Sequence, residues 1–379
     1  MSLFSRREFI RKSAAGASAV ALTSGVARGF PANEKVHLGW IGYGGRATGL
    51  MQHMLERCPD AAHVAICDLK PDRVEAGLKA AERDKPRGYT DFRKMMEKEK
   101  LDGILVVTAP CDHADVVVPV LEAGFNCFAE KPMDITVEKC DAITKAARKA
   151  KGFYQIGTQR RSHPTYQAAM KFIHDGLLGK VSFMQGGWHW SGDPSAAPVP
   201  RDGGRLIEQA SHHMDVMAWV MKDVAPLSCV SMARADEDTK PNEFSETKSA
   251  TVFQFPGNVL FSYTHLFRLP GKFDKEILLA FGDKGAIDFN EALYTGRDEK
   301  EHRFGPPIGK AWDQGTPESL IHFVDNIKKG NKTPWANVET GRICSLMCIM
   351  GRMAHVNAVK NAYEPAVVKW KDLGTTTDL

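Results

Sequence analysis

The chain has 379 residues, of which 43% are hydrophobic and 25% are charged, and its formal net charge is +4. This length is enough for two domains with cores of their own, and the composition is that of a globular protein rather than a disordered or fibrous one. The charge is small for the length and no long cationic tract carries interleaved aromatic residues, which argues against nucleic acid as a partner.

The chain begins with the pattern of a twin-arginine export signal. Arg6 and Arg7 are followed by Phe9 and by the small-residue apolar stretch "AAGASAVALTSGVA", which ends at Ala27. We predict a signal peptide over residues 1–30 and export of the folded protein to the periplasm. The alternative is a chance Arg-Arg before an amphipathic helix. No later stretch reaches 18 consecutive apolar residues, so we expect no transmembrane segment.

Short apolar runs alternate with helical patterns over residues 31–150. The predicted strands are "KVHLGWIG", "AAHVAICD", "GILVVTAP" and "NCFAEKP". The stretches between them, such as "KPDRVEAGLKAAERD" and "HADVVVPVLEAG", have helical spacing. This alternation predicts a Rossmann-type, doubly wound parallel sheet with helices on both faces.

The pattern changes over residues 151–379. Runs such as "YQIGTQRR", "VSFMQGGWHW", "SATVFQF" and "VLFSYTHLF" are typical of strands and have few helices between them. They predict an α+β substrate domain built on one large, mostly antiparallel open sheet, through which we expect the chain to form a homo-oligomer. The last sixty residues return to helical spacing, and we expect these helices to pack back toward the first domain.

A glycine-rich turn links the first predicted strand to the first predicted helix. Gly42, Gly44 and Ala47 form G-x-G-x-x-A, which permits a tight turn and lets the backbone approach a pyrophosphate at the helix N-terminus. Asp68 closes the second strand, where a carboxylate binds the adenosine ribose hydroxyls and repels a 2′-phosphate. NAD is therefore favoured over NADP, although Asp68 could instead cap the following helix.

Two later segments resemble the Gfo/Idh/MocA oxidoreductases. "FAEKPMDITVEKCDAI" resembles the Glu-Lys-Pro segment of that family, and "GGRLIEQASHHMDVMAWVM" resembles the helix of its second domain. The linker "GTQRRSHPTYQAAMKFIHDGLLGKV" resembles the family's linker helix and domain entry. The resemblance covers essentially the whole chain after the signal and implies an NAD-dependent oxidoreductase. The family includes inositol dehydrogenase and the exported glucose–fructose oxidoreductase, which holds its cofactor tightly.

The resemblance implies roles for individual residues of this chain. Lys131 would hold the reacting hydroxyl, His212 would be the general acid/base, Glu208 would assist it, and Asp215 would bind a substrate hydroxyl. The cofactor-binding residues that the turn and the resemblance together imply are Gly42, Tyr43, Gly44, Gly45, Arg46, Ala47, Asp68, Thr108, Pro110, His113, Glu130 and Lys131.

The spacing of three of these residues agrees with such roles. Positions 208, 212 and 215 lie at i, i+4 and i+7, so we expect them on one side of a single helix. A carboxylate one turn from an imidazole can fix its tautomer and raise its basicity. The alternatives are a solvated loop lysine at Lys131, an ordinary surface pair at Glu208 and His212, or a metal site formed by Glu208, His212 and Asp215. We expect no metal, because the redox chemistry of the fold requires none, and the eight cysteines contain no CxxC pair.

The sequence departs from the family pattern at three places. The family's Pro-Asn-x-x-His segment appears as Pro110-Cys111-Asp112-His113, Glu208 replaces an aspartate, and Ala210 replaces a glycine.

Aromatic and polar residues shortly before the catalytic segment suit a sugar, whose C–H faces stack on rings while its hydroxyls form hydrogen bonds. We therefore expect a small-molecule carbohydrate as substrate; the alternative is that one of the tryptophans Trp188 and Trp190 belongs to the core. The predicted substrate residues are Arg160, Trp188, His189, His213 and Asp215.

Three functions compete. The first is an exported carbohydrate oxidoreductase that recycles its own bound NAD. The second is an NAD-dependent glycosidase that oxidises a sugar carbon only transiently, so that elimination cleaves the glycosidic bond. The third is a catalytically inactive sugar-binding relative, against which Lys131 and His212 argue because an inactive site needs neither.

Overall fold

The computed structural model describes residues 34–192, 199–234, 248–308 and 315–374. The predicted signal peptide, residues 1–30, lies outside these residues.

The first domain is built on a six-stranded sheet in the order β3-β2-β1-β4-β5-β6, and every neighbouring pair of strands is parallel. The predicted Rossmann-type sheet is confirmed. The strands are β1 (Val36–Ile41), β2 (Ala61–Cys67), β3 (Arg87–Tyr89), β4 (Gly103–Val106), β5 (Asn126–Ala129) and β6 (Tyr154–Ile156). The helices are α1 (Gly45–Arg57), α2 (Pro71–Ala80), α3 (Phe92–Lys98), α4 (His113–Glu122) and α5 (Val137–Lys149).

Two strands of this sheet differ from the sequence prediction. Strand β3 is a three-residue edge strand whose side chains are largely exposed, so it has no apolar run that a sequence reading could detect. Strand β6, taken above for part of the second domain, pairs with β5 in the first sheet. The first sheet therefore extends past the predicted boundary at residue 150.

Over the described residues, the second domain is built on a nine-stranded sheet in the order β14-β13-β12-β11-β7-β10-β9-β8-β15. Strands β7 and β10 are parallel, and the other neighbouring pairs are antiparallel, which confirms the predicted mostly antiparallel sheet. The strands are β7 (Val181–His189), β8 (Ser228–Arg234), β9 (Lys248–Phe255), β10 (Val259–Leu266), β11 (Lys275–Gly282), β12 (Gly285–Asp288), β13 (Leu293–Gly296), β14 (Glu301–Arg303) and β15 (Val368–Lys369).

In the part of the chain that the structure describes, six further helices follow the first domain: α6 (Pro164–His174), α7 (Val199–Asp202), α8 (Arg205–Glu208), α9 (Ser211–Val220), α10 (Thr316–Lys329) and α11 (Val338–Lys360). Helix α10 packs on α1 and β1 of the first domain, where Leu320 and Phe323 are buried. Helix α11 packs against α5 on one side and against α9 and β8 on the other. Helix α11 thus contacts both domains, while α10 covers part of the first.

Burial alternates along the strands of the second sheet. On β10, Phe261, Tyr263 and His265 are buried on the face that carries the helices, while Leu260 on the other face is exposed. Among the residues that the structure describes, no helix combines the length and the apolar character needed to cross a bilayer.

Candidate active site

A cavity of about 330 Å³ lies between the two domains, at the carboxyl ends of β4 and β5. Ligands bind at this edge in open parallel α/β sheets. The predicted site residues that line it are Arg46, Thr108, Pro110, Glu130, Lys131, Trp188, Glu208 and His212. The lining also includes Val107, Gln159, Asp202 and Gln209, which the sequence reading missed.

The glycine-rich turn has the geometry that a bound pyrophosphate needs. Gly42 has φ +88°, and a Cβ there would lie 2.6 Å from the carbonyl oxygen of Val107, so no other residue fits. Gly44 is the N-cap of α1 and makes no side-chain cap hydrogen bond, so no side chain of the N-cap competes with an anion at this helix N-terminus. Ala47 is buried where the helix packs on the sheet. A Cβ at Gly45, in contrast, would meet nothing within 4 Å.

Asp68 lies beside this turn at the end of β2. Its Oδ2 accepts a hydrogen bond from the backbone N–H of Tyr43 at 2.8 Å, and its Oδ1 accepts one from that of Lys70 at 2.9 Å. The guanidinium of Arg73 is 3.8 Å from Oδ2. A carboxylate held next to a glycine turn is what an adenosine ribose requires, so these residues fit a dinucleotide.

Lys131 reaches across the cleft to the second domain. Its Nζ donates to the carbonyl oxygen of Glu208 at 2.8 Å and to Oε1 of the same residue at 2.9 Å. Arg205 lies 3.3 Å from the other carboxylate oxygen. Burial opposes ionisation of Glu208, but Lys131 and Arg205 outweigh it and hold the pKa of the carboxyl below its usual range. The cavity therefore contains a cation held in place by a carboxylate.

His212 presents a neutral imidazole to the cavity. Burial in the cleft, together with the charges of Lys131 and Arg160, holds its pKa well below 6.5. Its ring is stacked on Trp188, with the ring centroids 6.1 Å apart. Its ring nitrogens form no hydrogen bond with the residues that the structure describes. A neutral, unengaged imidazole is able to accept a proton from a bound hydroxyl.

The predicted pairing of Glu208 with His212 on one helix is wrong. Helix α8 ends at Glu208 and α9 begins at Ser211, so the two residues lie on different helices. Lys131 and Arg205 take up the carboxylate of Glu208. Glu208 therefore positions Lys131 rather than the imidazole.

Asp215 is also not where the sequence placed it. It is 1% exposed, and its Oδ1 accepts a hydrogen bond from Nε of Arg161 at 2.8 Å. Arg161 pairs in addition with Asp223. Burial raises the pKa of Asp215 to about 6, against the opposing effect of Arg161. The expected contact with a substrate hydroxyl is corrected to a buried ion pair, because the adjacent Arg161 is buried and needs a counter-charge.

Arg160 and His213 are likewise buried behind the cavity. Arg160 donates to Glu276, whose Oε2 lies 3.4 Å from Nε2 of His213. Although burial opposes it, these partners hold the pKa of Glu276 far below its usual range. His213 also contacts the edge of Trp188, with ring centroids 5.7 Å apart. The structure thus places both residues in support of the cavity wall, not in the cavity.

Two further predicted residues lie away from the cavity. His189 is hydrogen-bonded through Nε2 to Oγ1 of Thr264 at 2.8 Å, on the open face of the second sheet. His113 is fully buried, with Nδ1 2.7 Å from the carbonyl oxygen of Pro132, so it supports the turn that follows Lys131. Among the predicted substrate residues, only Trp188 lines the cavity of the described structure; Trp190 packs on Phe267.

Two glutamines that line the cavity, Gln159 and Gln209, could hardly be predicted from the sequence. Gln159 precedes two arginines in a short 3-10 turn, and Gln209 follows Glu208 within the family-like segment. Their amides carry no charge and fit no catalytic motif by spacing. In the described ranges, no three His, Cys, Asp or Glu side chains are grouped so as to hold a metal ion.

Two family models match the chain. "Oxidoreductase family, NAD-binding Rossmann fold" matches residues 36–158, and "GFO/IDH/MocA C-terminal domain" matches residues 166–288. Together they span more than half of the chain, one on each domain.

Individual proteins are similar at lower identity. The myo-inositol 2-dehydrogenase of Thermotoga maritima is 24% identical over 324 residues, which is 82% of this chain and 94% of that protein. The inositol 2-dehydrogenase of Salmonella typhimurium is 26% identical over 186 residues, 49% of this chain and 54% of that protein. A solved oxidoreductase domain protein from Kribbella flavida has the same fold, with a TM-score of 0.75 at 18% identity over 89% of this chain and 99% of that chain.

The parallel first sheet agrees with the Rossmann fold of the first family model, and the second sheet lies mostly within the residues that the C-terminal model matches. The chain therefore belongs to the Gfo/Idh/MocA family of NAD-binding oxidoreductases.

Proposed function

We propose that this protein oxidises a hydroxyl of a sugar or a sugar-like polyol, with NAD as the hydride acceptor. The observation that carries this proposal is the placement of Lys131 and the neutral imidazole of His212 in one cavity, next to the turn at Gly42. An alcohol can be oxidised only if its proton and its hydride leave to two different acceptors, and the site offers a base for the proton.

The side chains divide the work on the substrate. His212 takes the hydroxyl proton, because its imidazole is neutral. Lys131 stabilises the negative charge that develops on the substrate oxygen, and Glu208 keeps the ammonium group in place through the 2.9 Å contact. NAD held by the turn at Gly42 and by Asp68 would supply the acceptor for the hydride of the carbinol carbon. Trp188 offers a flat wall on which the C–H face of a sugar ring can stack.

The charges of the cavity favour a neutral polyol. Arg46 is 2.8 Å from Glu130, and Lys131 is 2.9 Å from Glu208, so each cation is compensated by a carboxylate. A phosphate or carboxylate on the substrate would have to compete with these carboxylates. The two similar dehydrogenases described above act on inositol, which supports the same substrate class.

The carboxylate of Asp68 supports NAD over NADP, because it would repel a 2′-phosphate at the end of β2. The twin-arginine pattern at Arg6 and Arg7 supports export to the periplasm. Free NAD is scarce outside the cytoplasm. We therefore propose that the protein folds around its dinucleotide before export, retains it, and regains the oxidised form in place.

The test is nucleotide content before and after extensive dialysis, followed by turnover of D-glucose and myo-inositol with and without added NAD. The expected result is NAD(H) that survives dialysis and turnover that added NAD barely stimulates. If the dialysed protein contains no nucleotide and its activity saturates with added NAD, the protein does not retain its cofactor. That result would leave the proposed oxidoreductase activity intact. A Lys131→Met variant serves as the control that binds dinucleotide but transfers no hydride.

The glycosidase alternative shares the first chemical step. Oxidation of a sugar carbon acidifies the neighbouring C–H, and elimination would then release the group bound at the anomeric carbon. Release of nitrophenol from nitrophenyl glycosides by the dialysed protein, without net NADH formation, would favour this alternative. We expect no such release.

We propose that the open face of the second sheet joins two copies of the chain. The side chains on this face of β9 and β10 include Val252 and Leu260, which have no covering helix within the described ranges. A homo-oligomer would cover these apolar side chains and leave the cavity, on the opposite face, accessible.

A further inference from the structure

The amide of Gln209 is bound at one end and free at the other. The residue is only 7% exposed, lines the cavity, and has its Oε1 3.1 Å from Nε2 of His265. Its amide nitrogen makes no hydrogen bond with any of the described residues and is not sealed from the cavity. A donor left free on an otherwise buried side chain costs stability unless water or a ligand accepts from it.

The structure places Oε1 of Gln209, and not its NH₂ group, against the ring of His265. This ring is fully buried, and burial together with the nearby His213 and Arg205 holds its pKa well below 6.5. The ring is therefore neutral and carries one proton. A hydrogen bond to Oε1 of Gln209 requires this proton on Nε2, and the amide NH₂ group must then point away from His265, into the cavity.

Gln209 also lies between the two groups that act on the reacting hydroxyl. Lys131 donates to the carbonyl oxygen of Glu208, the residue before it. The backbone N–H of His212 donates to the carbonyl oxygen of Gln209 at 3.2 Å. Gln209, Lys131 and His212 also line the same cavity. A substrate whose reacting oxygen is bound by Lys131 and His212 can therefore present the oxygen of the neighbouring carbon to the Gln209 amide, as in a vicinal diol.

We propose that Gln209 is a specificity-determining residue that donates a hydrogen bond to the substrate hydroxyl on the carbon next to the reacting one. His265 is the positioning residue that sets the direction of the amide. The inference rests on the proposed oxidation of a polyol and adds that the substrate must carry a vicinal hydroxyl. An amide NH₂ donates and does not accept, so an oxygen acceptor at that carbon is what the site selects.

The test compares D-glucose and myo-inositol with their monodeoxy analogues. For the wild type, we expect removal of the one hydroxyl bound by Gln209 to lower kcat/KM about tenfold, the usual effect of one neutral hydrogen bond. In Gln209→Met, we expect kcat/KM for the parent substrate to fall to the wild-type value for that deoxy analogue. We expect kcat/KM for the analogue itself to stay at its wild-type value. Gln52→Met, on the exposed side of α1, is the matched control and retains the tenfold preference.

Because Gln209→Met leaves the buried His265 donor without a partner, a second variant guards against misfolding. Gln209→Glu keeps an oxygen for His265 but cannot donate to the substrate. A deoxyfluoro analogue, whose fluorine accepts and cannot donate, is then rejected more strongly by Gln209→Glu than by the wild type. We expect the affinity for myo-inositol, measured by calorimetry, to be higher for the wild type than for either Gln209 variant, which checks the inference independently of turnover.

The positioning role of His265 has its own readout. In His265→Phe, we expect KM for the parent substrate to rise while kcat for the deoxy analogue stays unchanged, and His265→Gln, which restores a donor, recovers the preference. Equal hydroxyl preference in the wild type and in Gln209→Met, with hydride transfer intact, overturns this inference alone. If the wild type turns over neither polyol, the proposed function fails and this inference fails with it.

Discussion

The chemistry of this site depends on which side chains are neutral and which are charged. Lys131 and Glu208 form an ion pair across the cleft, whereas His212, only a few residues further along the chain, is held neutral by burial and by the charge of Lys131. In the proposed reaction the same lysine serves two purposes: it attracts the substrate oxygen, and its charge helps to keep the neighbouring imidazole neutral.

The neutral state of His212 predicts a specific pH dependence. A general base works only when deprotonated, so kcat/KM falls as the pH drops through the pKa of the imidazole. Because that pKa is held well below 6.5, we expect kcat/KM for polyol oxidation to stay flat from neutral pH down to pH 6.5 and to fall only in more acidic buffer. His212→Ala should lower kcat/KM by about 10²–10⁴-fold and abolish its fall at acidic pH, which is the acidic limb of the pH profile. An acidic limb centred at or above pH 6.5 in the wild type would assign the base to another group.

Asp68 predicts the choice between the two dinucleotides. In Asp68→Ala, the carboxylate that would bind the ribose hydroxyls is lost, and Arg73, 3.8 Å away, is left free to contact a 2′-phosphate. We expect weaker binding of NAD and stronger binding of NADP, measured directly by calorimetry on protein stripped of nucleotide. Asp72→Ala, at the start of α2, is the control for a general loss of negative charge. If the ratio of NAD affinity to NADP affinity is the same in Asp68→Ala as in the wild type, Asp68 does not contact the adenosine ribose.

At the level of elements, the break between α8 and α9 decides the geometry of the site. Gln209 and Ala210 form the turn between the two short helices. This turn directs Glu208 toward Lys131 of the first domain, and it directs Gln209 and His212 into the cavity. One continuous helix would instead have placed Glu208 and His212 together on one face.

The 3-10 turn at Gln159–Ser162 is fastened to α9 by a buried ion pair, and this predicts a stability effect. Arg161→Met leaves Asp215 without its counter-charge and should destabilise the protein by about 3–5 kcal/mol. We expect KM for the polyol to remain unchanged, because neither residue lines the cavity. Chemical unfolding and steady-state kinetics check the two halves of this prediction.

The matched control is Arg148→Met, which breaks the surface pair with Glu339. It should cost no more than about 1 kcal/mol, since exposed pairs contribute little. If Arg161→Met unfolds like the wild type but has a raised KM for the polyol, Asp215 contributes to substrate binding and not to stability.

At the scale of the whole molecule, the cavity and the open sheet face point in opposite directions. We expect the wild type to be an oligomer by light scattering. The double variant Val252→Lys and Leu260→Lys should shift it toward the monomer, because two ammonium groups cannot be buried in an apolar contact. Val224→Lys, which is exposed outside both sheets, should leave the mass unchanged. A wild-type monomer would contradict the proposed interface.

The sequence by itself determined the fold class, a parallel sheet followed by a mostly antiparallel one. The alternation of apolar runs and helical spacing predicted the parallel sheet, and the turn at Gly42 predicted the nucleotide edge, because both depend on local spacing and on backbone conformations that single residues impose. Lys131 and His212 could be named because they lie in short segments that resemble those of the family.

Only the tertiary structure decided which side chains meet. Lys131 and Glu208 are 77 residues apart and Arg161 and Asp215 are 54 apart, yet each pair is in direct contact. Helical spacing linked Glu208 to His212 and Asp215 instead, because it takes no account of a turn between two short helices or of a cation brought in from another part of the chain. The proposed role of Gln209 could not be predicted for the same reason, because it depends on the contact of its neutral amide with the buried His265, 56 residues away.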